Sequence, residues 1–259
     1  MELIEQVALI ILFALIIKGI SLLYDRPTSP KPEPGKIPDE LTNSDVRKFF
    51  WVVENNIQSY SLNCEIKINL NEKNKAKEEL LNENSQPSKV YFTSEEEYFI
   101  ISKIQILHDK FGVDSDEVDQ IVNYLRSYAD QHMMSNYQFA NLILSFVHEQ
   151  NIKYSYDEDS TGHMEYLRFP IETICDITGD CDCKAILACT LFKKLGYKVA
   201  FALMPGHAAL AISTESAPFY SNFEKWGIHW YYCESTGSNW SPGQLPSGIY
   251  RDSIKIREI

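Results

Sequence analysis

The stretch from residue 179 to residue 196, GDCDCKAILACTLFKKLG, constrains the fold most, because it contains the signals for both ends of a helix. Asp180 is suited to cap a helix after a flexible glycine, and residues 185–195 are apolar at helical spacing until a second glycine ends the pattern. We therefore expect a helix that begins at about Cys181.

Three β-rich runs follow this helix: YKVAFALM, HAALAIS and IHWYYCE. Pro, Gly, Ser and Asn residues separate them, which is typical of strands joined by turns. Helical patterns dominate the segment that precedes residue 150, including SNYQFANLILSFVHEQN. Helices first and strands afterwards predict an α+β fold.

The N-terminus predicts a membrane anchor. Residues 3–23 are almost entirely apolar, close to the roughly 20 residues that span a bilayer, so residues 1–25 are interpreted as a transmembrane helix. A cleaved signal peptide is the alternative, but no basic segment precedes the run and no small-residue cleavage site follows it. The excess of basic residues after the run favours a single-pass protein with its body in the cytoplasm.

The segment between the anchor and the helix at Cys181 divides further. Residues 26–41 are rich in proline and predict an extended linker. Residues 42–135 predict an α/β extension in which helices predominate: a strand at 62–70 from strict alternation, a solvated helix or loop at 71–86, and a second strand at KVYFT. Helical periodicity then runs from 95 to 132, with a break where Gly112 ends one helix and Asp114 or Ser115 caps the next.

Composition limits the function and the redox state. The net charge of −12 and a pI near 5.0 argue against a nucleic-acid partner, since phosphate binding requires clustered Lys and Arg. Four of the six cysteines lie between residues 175 and 189, too crowded for the disulfide framework of a small secreted fold. We interpret most of them as free thiols.

The helix start gives Cys181 a chemical context. A thiol at a helix N-terminus lies among unpaired backbone N–H groups and the positive end of the helix dipole, both of which favour the thiolate. A spacing of about 100° per residue places Cys181 on the face of the helix that packs and directs Cys183 to the opposite side. Cys189 lies deeper among apolar neighbours and is expected to be inert.

A nucleophilic thiol needs a base, and the base needs a partner that orients it. His207 comes directly after a Pro-Gly turn at the mouth of one apolar strand, and Glu234 ends the next strand. Adjacent strand ends would bring the two side chains together over the start of the Cys181 helix. The sequence favours His229 as a packed residue. It places the remaining histidines on helical or loop surfaces: His108, His132, His148 and His163.

Structural interpretations of the same residues remain open. Cys175, Cys181 and Cys183 could ligate zinc with a distant histidine, although a C-x-C pair is not the usual C-x2-C knuckle. Tyr166 and Arg168 could contact a substrate, but packing or a salt bridge is the expected role of each. Trp240 could rim a cleft, although a tryptophan after a turn more commonly belongs to the core.

The sequence from residue 166 to 212, followed by YYCESTG, resembles the core of the bacterial and archaeal transglutaminase-like domain family, within the papain-like cysteine enzymes. The resemblance covers about residues 136–249 and implies a catalytic domain at 136–259, with a catalytic helix packed on an antiparallel sheet. It also implies a catalytic triad: Cys181 as nucleophile, His207 as general base and acid, and Glu234 as the residue that orients the imidazole. The family often has an acidic residue where Cys183 stands, which suggests at most a modulating role or a redox partnership with Cys181.

The expected reaction is acyl transfer through a thioester at Cys181, with its backbone N–H as an oxyanion donor. Hydrolysis of a protein or peptide substrate, as by a thiol protease or amidase, is favoured over cross-linking, because nothing in the sequence specifies an acceptor amine. The alternatives are a non-catalytic, membrane-tethered scaffold that binds protein partners through the N-terminal region, and a true protein-crosslinking transglutaminase. No cofactor and no metal are expected.

Overall fold

The structure is a computed structural model that describes residues 44–54, 59–82, 109–163, 166–214, 223–225 and 227–259. Its strands are β1 (Ser44–Glu54), β2 (Ser59–Asn69), β3 (Lys153–Tyr154), β4 (Thr178–Gly179), β5 (Lys198–Met204), β6 (His207–Ser213), β7 (Phe223–Lys225), β8 (Ile228–Cys233) and β9 (Lys255–Glu258). Its α-helices are α1 (Leu70–Asn82), α2 (Asp116–Gln131), α3 (Asn136–Phe146), α4 (Asp157–Thr161), α5 (Pro170–Asp176) and α6 (Cys181–Lys194). A π-helical turn (Asp109–Val113) precedes α2, and a 3-10 turn (Arg251–Ser253) precedes β9.

A long hairpin opens the described chain. Strands β1 and β2 pair antiparallel over their full eleven residues, from Ser44 opposite Asn69 to Glu54 opposite Ser59. The alternation predicted for β2 is confirmed, since four of its side chains are buried and the residues between them are exposed: Leu62, Cys64, Ile66 and Ile68. β1 alternates in the same way towards its end, and one face of the hairpin therefore joins the core.

The C-terminal half supplies a five-stranded antiparallel sheet in the order β7-β8-β6-β5-β9, curved as a half-barrel. The three β-rich runs after the helix are confirmed as β5, β6 and β8. β5 and β6 form a hairpin in which Met204 pairs with His207. Gly206 closes its turn with a φ of 71°, a left-handed conformation that favours glycine.

Helix α6 is enclosed on all sides. It packs against β5 and β6 of the sheet and also contacts α2, α3 and α5. Every residue from Cys183 to Phe192 is buried. The outward orientation predicted for Cys183 is therefore wrong, because a helical period assigns angles but does not say how many faces of a helix are covered.

The described helices before α6 agree with their signals. Ser115 caps α2 by accepting a hydrogen bond from the Val118 N–H at 3.3 Å, and Ser135 caps α3 in a capping box with Gln138. The predicted strand KVYFT and the helical pattern from residue 95 to 108 lie outside the described residues.

The predicted fold class needs correction. The chain is a mixed α/β protein with an antiparallel half-barrel sheet, whereas the prediction was an α+β, papain-like or transglutaminase-like core carrying a transmembrane helix and a helical N-terminal extension. The extension begins with two eleven-residue strands, because residues 44–54 alternate as residues 59–69 do.

The expectation of a single-pass membrane protein with a cytoplasmic catalytic domain is also corrected. None of the helices in the described ranges has the length and apolar character that crossing a bilayer requires. The anchor predicted at residues 1–25 and the linker at 26–41 lie outside those ranges.

We predict that neighbouring residues of β1 differ sharply in their contribution to stability. Phe49 is 2% exposed and packs on Phe146, whereas Phe50 is 66% exposed. Phe49→Ala should lower the free energy of unfolding by about 3–5 kcal/mol, and Phe50→Ala by no more than about 0.5 kcal/mol. Urea denaturation of both variants measures the difference, and equal losses would show that the hairpin is not part of the core.

Candidate active site

The start of α6 is as the sequence predicts. Asp180 is the N-cap and its Oδ1 accepts a hydrogen bond from the Cys183 N–H at 3.2 Å, so that the helix begins at Cys181. Gly179 precedes the cap, and a Cβ at this position would lie only 2.8 Å from the Cβ of Cys183. The glycine therefore allows β4 to approach the first turn of α6 closely.

The sheet brings His207 and Glu234 together. β6 and β8 are neighbours, with Leu210 opposite Cys233, so the first residue of β6 lies beside the residue that follows β8. The Nε2 atom of His207 is 2.9 Å from Oε2 and 3.2 Å from Oε1 of Glu234. Because a carboxylate can only accept, Nε2 carries the proton in this pair.

Glu234 is 3% exposed and held from several directions. The Tyr232 hydroxyl donates to Oε2 at 2.6 Å, and the Thr236 N–H and hydroxyl donate to Oε1 at 2.9 and 2.6 Å. Burial acts to raise the pKa of Glu234, but the hydrogen bond and charge of His207, with the two hydroxyls, bring the net pKa below its ordinary value. The carboxylate is therefore charged at neutral pH and fixed in position.

Tyr232 and Thr236 bind the Glu234 carboxylate, but the prediction from sequence did not include them. They stand two residues before and two residues after Glu234 in YYCEST. Side chains two apart in an extended segment point to the same side, so this spacing was the signal available.

Cys181 lies close to the start of β6. Its sulfur accepts a hydrogen bond from the backbone N–H of Ala208, the residue after His207. Cys181 also lies near Tyr232. The pKa of the Tyr232 phenol is raised mainly by burial and then by neighbouring groups, of which Glu234 is the largest and Cys181 is one. All six cysteines are free and belong to the described residues, and Cys181 alone is partly exposed.

The electrostatic surroundings of the thiol differ from the expectation. Burial, followed by the charges of Asp182 and Asp180, raises the pKa of Cys181 well above its ordinary value. The backbone N–H groups of Ala208 and Asp182 lower it, as expected at a helix start, but they are outweighed. In the resting site Cys181 is therefore a protonated thiol at neutral pH.

Two histidines lie in environments opposite to those predicted. His148 is buried and its Nε2 lies 3.1 Å from the backbone oxygen of Glu234, while burial lowers its pKa to about 4. His148 is thus a neutral donor that supports the Glu234 backbone. His229, predicted to be packed, is exposed on β8. Both corrections arise because local periodicity cannot show which neighbouring element covers a side chain.

The other candidates take structural roles or remain peripheral. The Tyr166 hydroxyl donates to Glu172 at 2.7 Å, and Arg168 Nη1 donates to Asp176 at 2.6 Å, both from buried positions. Tyr166 is packed, as expected, whereas the salt bridge of Arg168 is buried on the arginine side and not an ordinary surface pair. Trp240 is half-buried and lines a small cavity. His132 and His163 are exposed, and His108 lies outside the described residues.

The zinc set considered from the sequence is not assembled. Cys175 is buried beside Arg47, whose Nη2 is 3.8 Å from its sulfur. Within the described ranges, the residues that come close enough to hold a metal are Asp157, Asp180 and Cys183, whose ligand atoms all lie within 4.8 Å of one another. Burial and the neighbouring Asp180 raise the pKa of Asp157 to about 7.

We predict that iodoacetamide modifies Cys181 selectively in the folded protein, because it alone among the cysteines reaches solvent. Since its pKa is raised above 9.0, the thiolate fraction and hence the alkylation rate should increase about tenfold per pH unit up to at least pH 9. Peptide mass mapping at several pH values measures this. Cys181→Ala should leave the folded protein unlabelled, whereas a rate that levels off near neutral pH would contradict the protonated resting thiol.

Known proteins do not identify the site. No model of a protein family matches the chain, and no curated protein matches it significantly.

Proposed function

We propose that the protein is a thiol-dependent acyl-transfer enzyme that hydrolyses an amide bond of a protein or peptide through a thioester at Cys181. The observation that carries the proposal is the His207–Glu234 pair, 2.9 Å from nitrogen to oxygen, in which a buried carboxylate holds a half-buried imidazole near a partly exposed thiol at a helix start. Three further donors hold the Glu234 carboxylate in position. An ordinary surface ion pair has no need of such donors, so this arrangement favours a role in orienting His207.

The tautomer of His207 suits a general base. Its Nε2–H donates to Glu234, which leaves Nδ1 as the basic nitrogen for the Cys181 proton. Glu234 is charged and stabilises the imidazolium that forms when Nδ1 accepts this proton. Nδ1 is therefore the nitrogen of the ring that can accept a proton.

The raised pKa of Cys181 decides when the proton moves. In the resting site the thiol is protonated, so transfer to His207 accompanies attack on the substrate rather than preceding it. The sulfur forms a bond to the carbonyl carbon, and the carbonyl π electrons move to the oxygen. The Cys181 backbone N–H, at a helix start where such groups lack helical partners, donates to this oxyanion.

Collapse of the tetrahedral intermediate breaks the C–N bond. The imidazolium of His207 gives its proton to the leaving amine, and a thioester remains on Cys181. Water, deprotonated by the same imidazole, then attacks the thioester and releases the acid and the thiol. An amine in place of water would give a new amide, but no described residue selects an amine acceptor.

The resemblance of residues 136–249 to transglutaminase-like enzymes supports the same roles, because it assigns the nucleophile, base and orienting acid to these three positions. This support is independent of the distances, since it rests on the order and local sequence of the residues.

We predict that a peptide p-nitrophenyl ester acylates Cys181. The adduct should appear as a mass increase on the peptide that contains Cys181 and should be removed by hydroxylamine, which cleaves thioesters. His207→Ala should lower the acylation rate by about 10²–10⁴-fold, the usual contribution of a general base. Stopped-flow release of nitrophenol measures the rate.

Two controls make this experiment decisive. Cys175→Ala removes a buried thiol that is not part of the proposed site, so this variant should be acylated at the original rate. Cys181→Ala should give no adduct. Adduct formation at another residue, or a rate unchanged by His207→Ala, would refute the proposal. The product in the presence of a primary amine distinguishes hydrolysis from cross-linking.

A further inference from the structure

A second cluster of reactive side chains lies behind the start of α6. Asp157 lies at the beginning of α4, Asp180 caps α6, and Cys183 belongs to its first turn. One ligand atom of each residue lies within 4.8 Å of the ligand atoms of the other two. Asp157 and Cys183 are buried, and Asp180 is half-buried. None of the three residues belongs to the His207–Glu234 pair.

Asp157 has an oxygen that lacks a donor. The residue is 4% exposed, and its Oδ2 accepts a hydrogen bond from the Tyr166 N–H at 2.6 Å. Its Oδ1 is fully buried and has no hydrogen-bond partner among the described residues. The side chain lies within hydrogen-bonding distance of the Asp180 carboxyl, which as a carboxylate is another acceptor. Two acceptors in contact require a shared proton or a cation between them.

The surrounding charge favours a cation. Asp182 adds a third carboxyl within hydrogen-bonding distance of Asp180. The guanidinium of Arg168 is the nearby counter-charge, but its Nη1 and Nη2 donate elsewhere, to Asp176 at 2.6 Å and to Ser160 at 3.1 Å. Its Nε–H is buried and has no hydrogen-bond partner among the described residues. The arginine therefore acts on the cluster through its charge, which lowers the pKa of Asp157, and not through a hydrogen bond.

We propose that Asp157, Asp180 and Cys183 form a binding site for a zinc ion. A sulfur ligand disfavours Mg²⁺ and Ca²⁺, which prefer oxygen, whereas Zn²⁺ accepts mixed carboxylate and thiolate sets. Bonds of about 2.0 Å to oxygen and 2.3 Å to sulfur place tetrahedral ligands about 3.5 Å apart. Since the three atoms lie within 4.8 Å of one another, they need to approach by no more than about 1.3 Å. Three protein ligands leave the fourth position for water.

The thiol of Cys183 donates to the Tyr166 carbonyl at 3.3 Å and accepts from the Arg168 N–H at 3.3 Å. Zinc binding exchanges the thiol proton for the metal and removes this donor from the Tyr166 carbonyl. On zinc binding the S–H bond breaks, the proton leaves to solvent and the sulfur lone pair forms the metal bond. The Arg168 N–H remains a donor to the thiolate. Any proton held between the two carboxyls leaves as well, so binding should release at least one proton.

Titration of the metal-free protein with Zn²⁺ tests the site. We expect one ion per chain and a higher melting temperature with zinc. In calorimetry the measured heat of binding should vary linearly with the ionisation heat of the buffer, with a slope that gives the number of protons released. Asp157→Asn retains an oxygen for the Tyr166 N–H but loses the charge, and it should weaken binding by at least about 100-fold, the upper range for loss of a mere supporting residue. Equal zinc affinity in Asp157→Asn and the original chain would overturn the proposal.

Cobalt substitution identifies the sulfur ligand even where a variant is less stable. Co²⁺ bound by the original chain should show thiolate-to-cobalt charge-transfer absorption. Cys183→Ser should remove this absorption, whereas Cys181→Ala and Cys175→Ala should retain it. Loss in Cys181→Ala instead would place the metal at the proposed nucleophile and refute the site. Because zinc binding is read without substrate, it stands or falls separately from acyl transfer.

Discussion

The enclosure of helix α6 is the constraint on which the rest of the structure depends. Residues Cys183–Phe192 are buried without interruption between the half-barrel sheet and helices α2, α3 and α5. Burial of each large apolar side chain contributes roughly 1.5–3 kcal/mol to the free energy of unfolding. Because the helix is covered on every side along this stretch, rotation about its axis would disrupt these contacts. Its first turn is therefore fixed relative to the strands, and the position of Cys181 follows from packing along the remaining helix.

The same enclosure has an electrostatic cost that shapes the chemistry. A helix start favours a thiolate through its unpaired N–H groups, yet burial and two flanking aspartates raise the pKa of Cys181. Glu234 is buried as well, but His207 and the hydroxyls of Thr236 and Tyr232 bring its net pKa below its ordinary value. Burial raises the pKa of both groups, but hydrogen-bond donors and His207 outweigh it at the carboxylate, whereas neighbouring carboxylates add to it at the thiol. Charge separation in the site must develop during the reaction.

Sequence reasoning reached the site through local signals and failed where a long-range contact decided. The N-cap at Asp180, the three strands and the spacing of His207 and Glu234 follow from caps, alternation and strand order. The burial of Cys183 and the contact of His148 with the Glu234 carbonyl depend on which elements pack together, which periodicity cannot supply. Strand β1 did carry a local alternation, and the helical patterns that follow it led to the extension being assigned as mainly helical.

The start of α6 combines two demands that oppose each other. Capping and the helix dipole favour acidic side chains there, which Asp180 and Asp182 provide, but a buried site tolerates unpaired charge poorly. A buried cation, Lys184, lies close to these carboxylates in sequence. Its ammonium donates to the Ile152 carbonyl at 2.7 Å and lies 3.6 Å from Glu149. Burial lowers its pKa to about 8. That ammonium is already engaged by Glu149 and a carbonyl. On the other side of the turn, backbone N–H groups donate to one oxygen of Asp157 and to one oxygen of Asp180. Asp157 Oδ1 has no such donor, so a shared proton or an ion must lie between the two carboxyls, and the choice between them sets the charge next to the thiol.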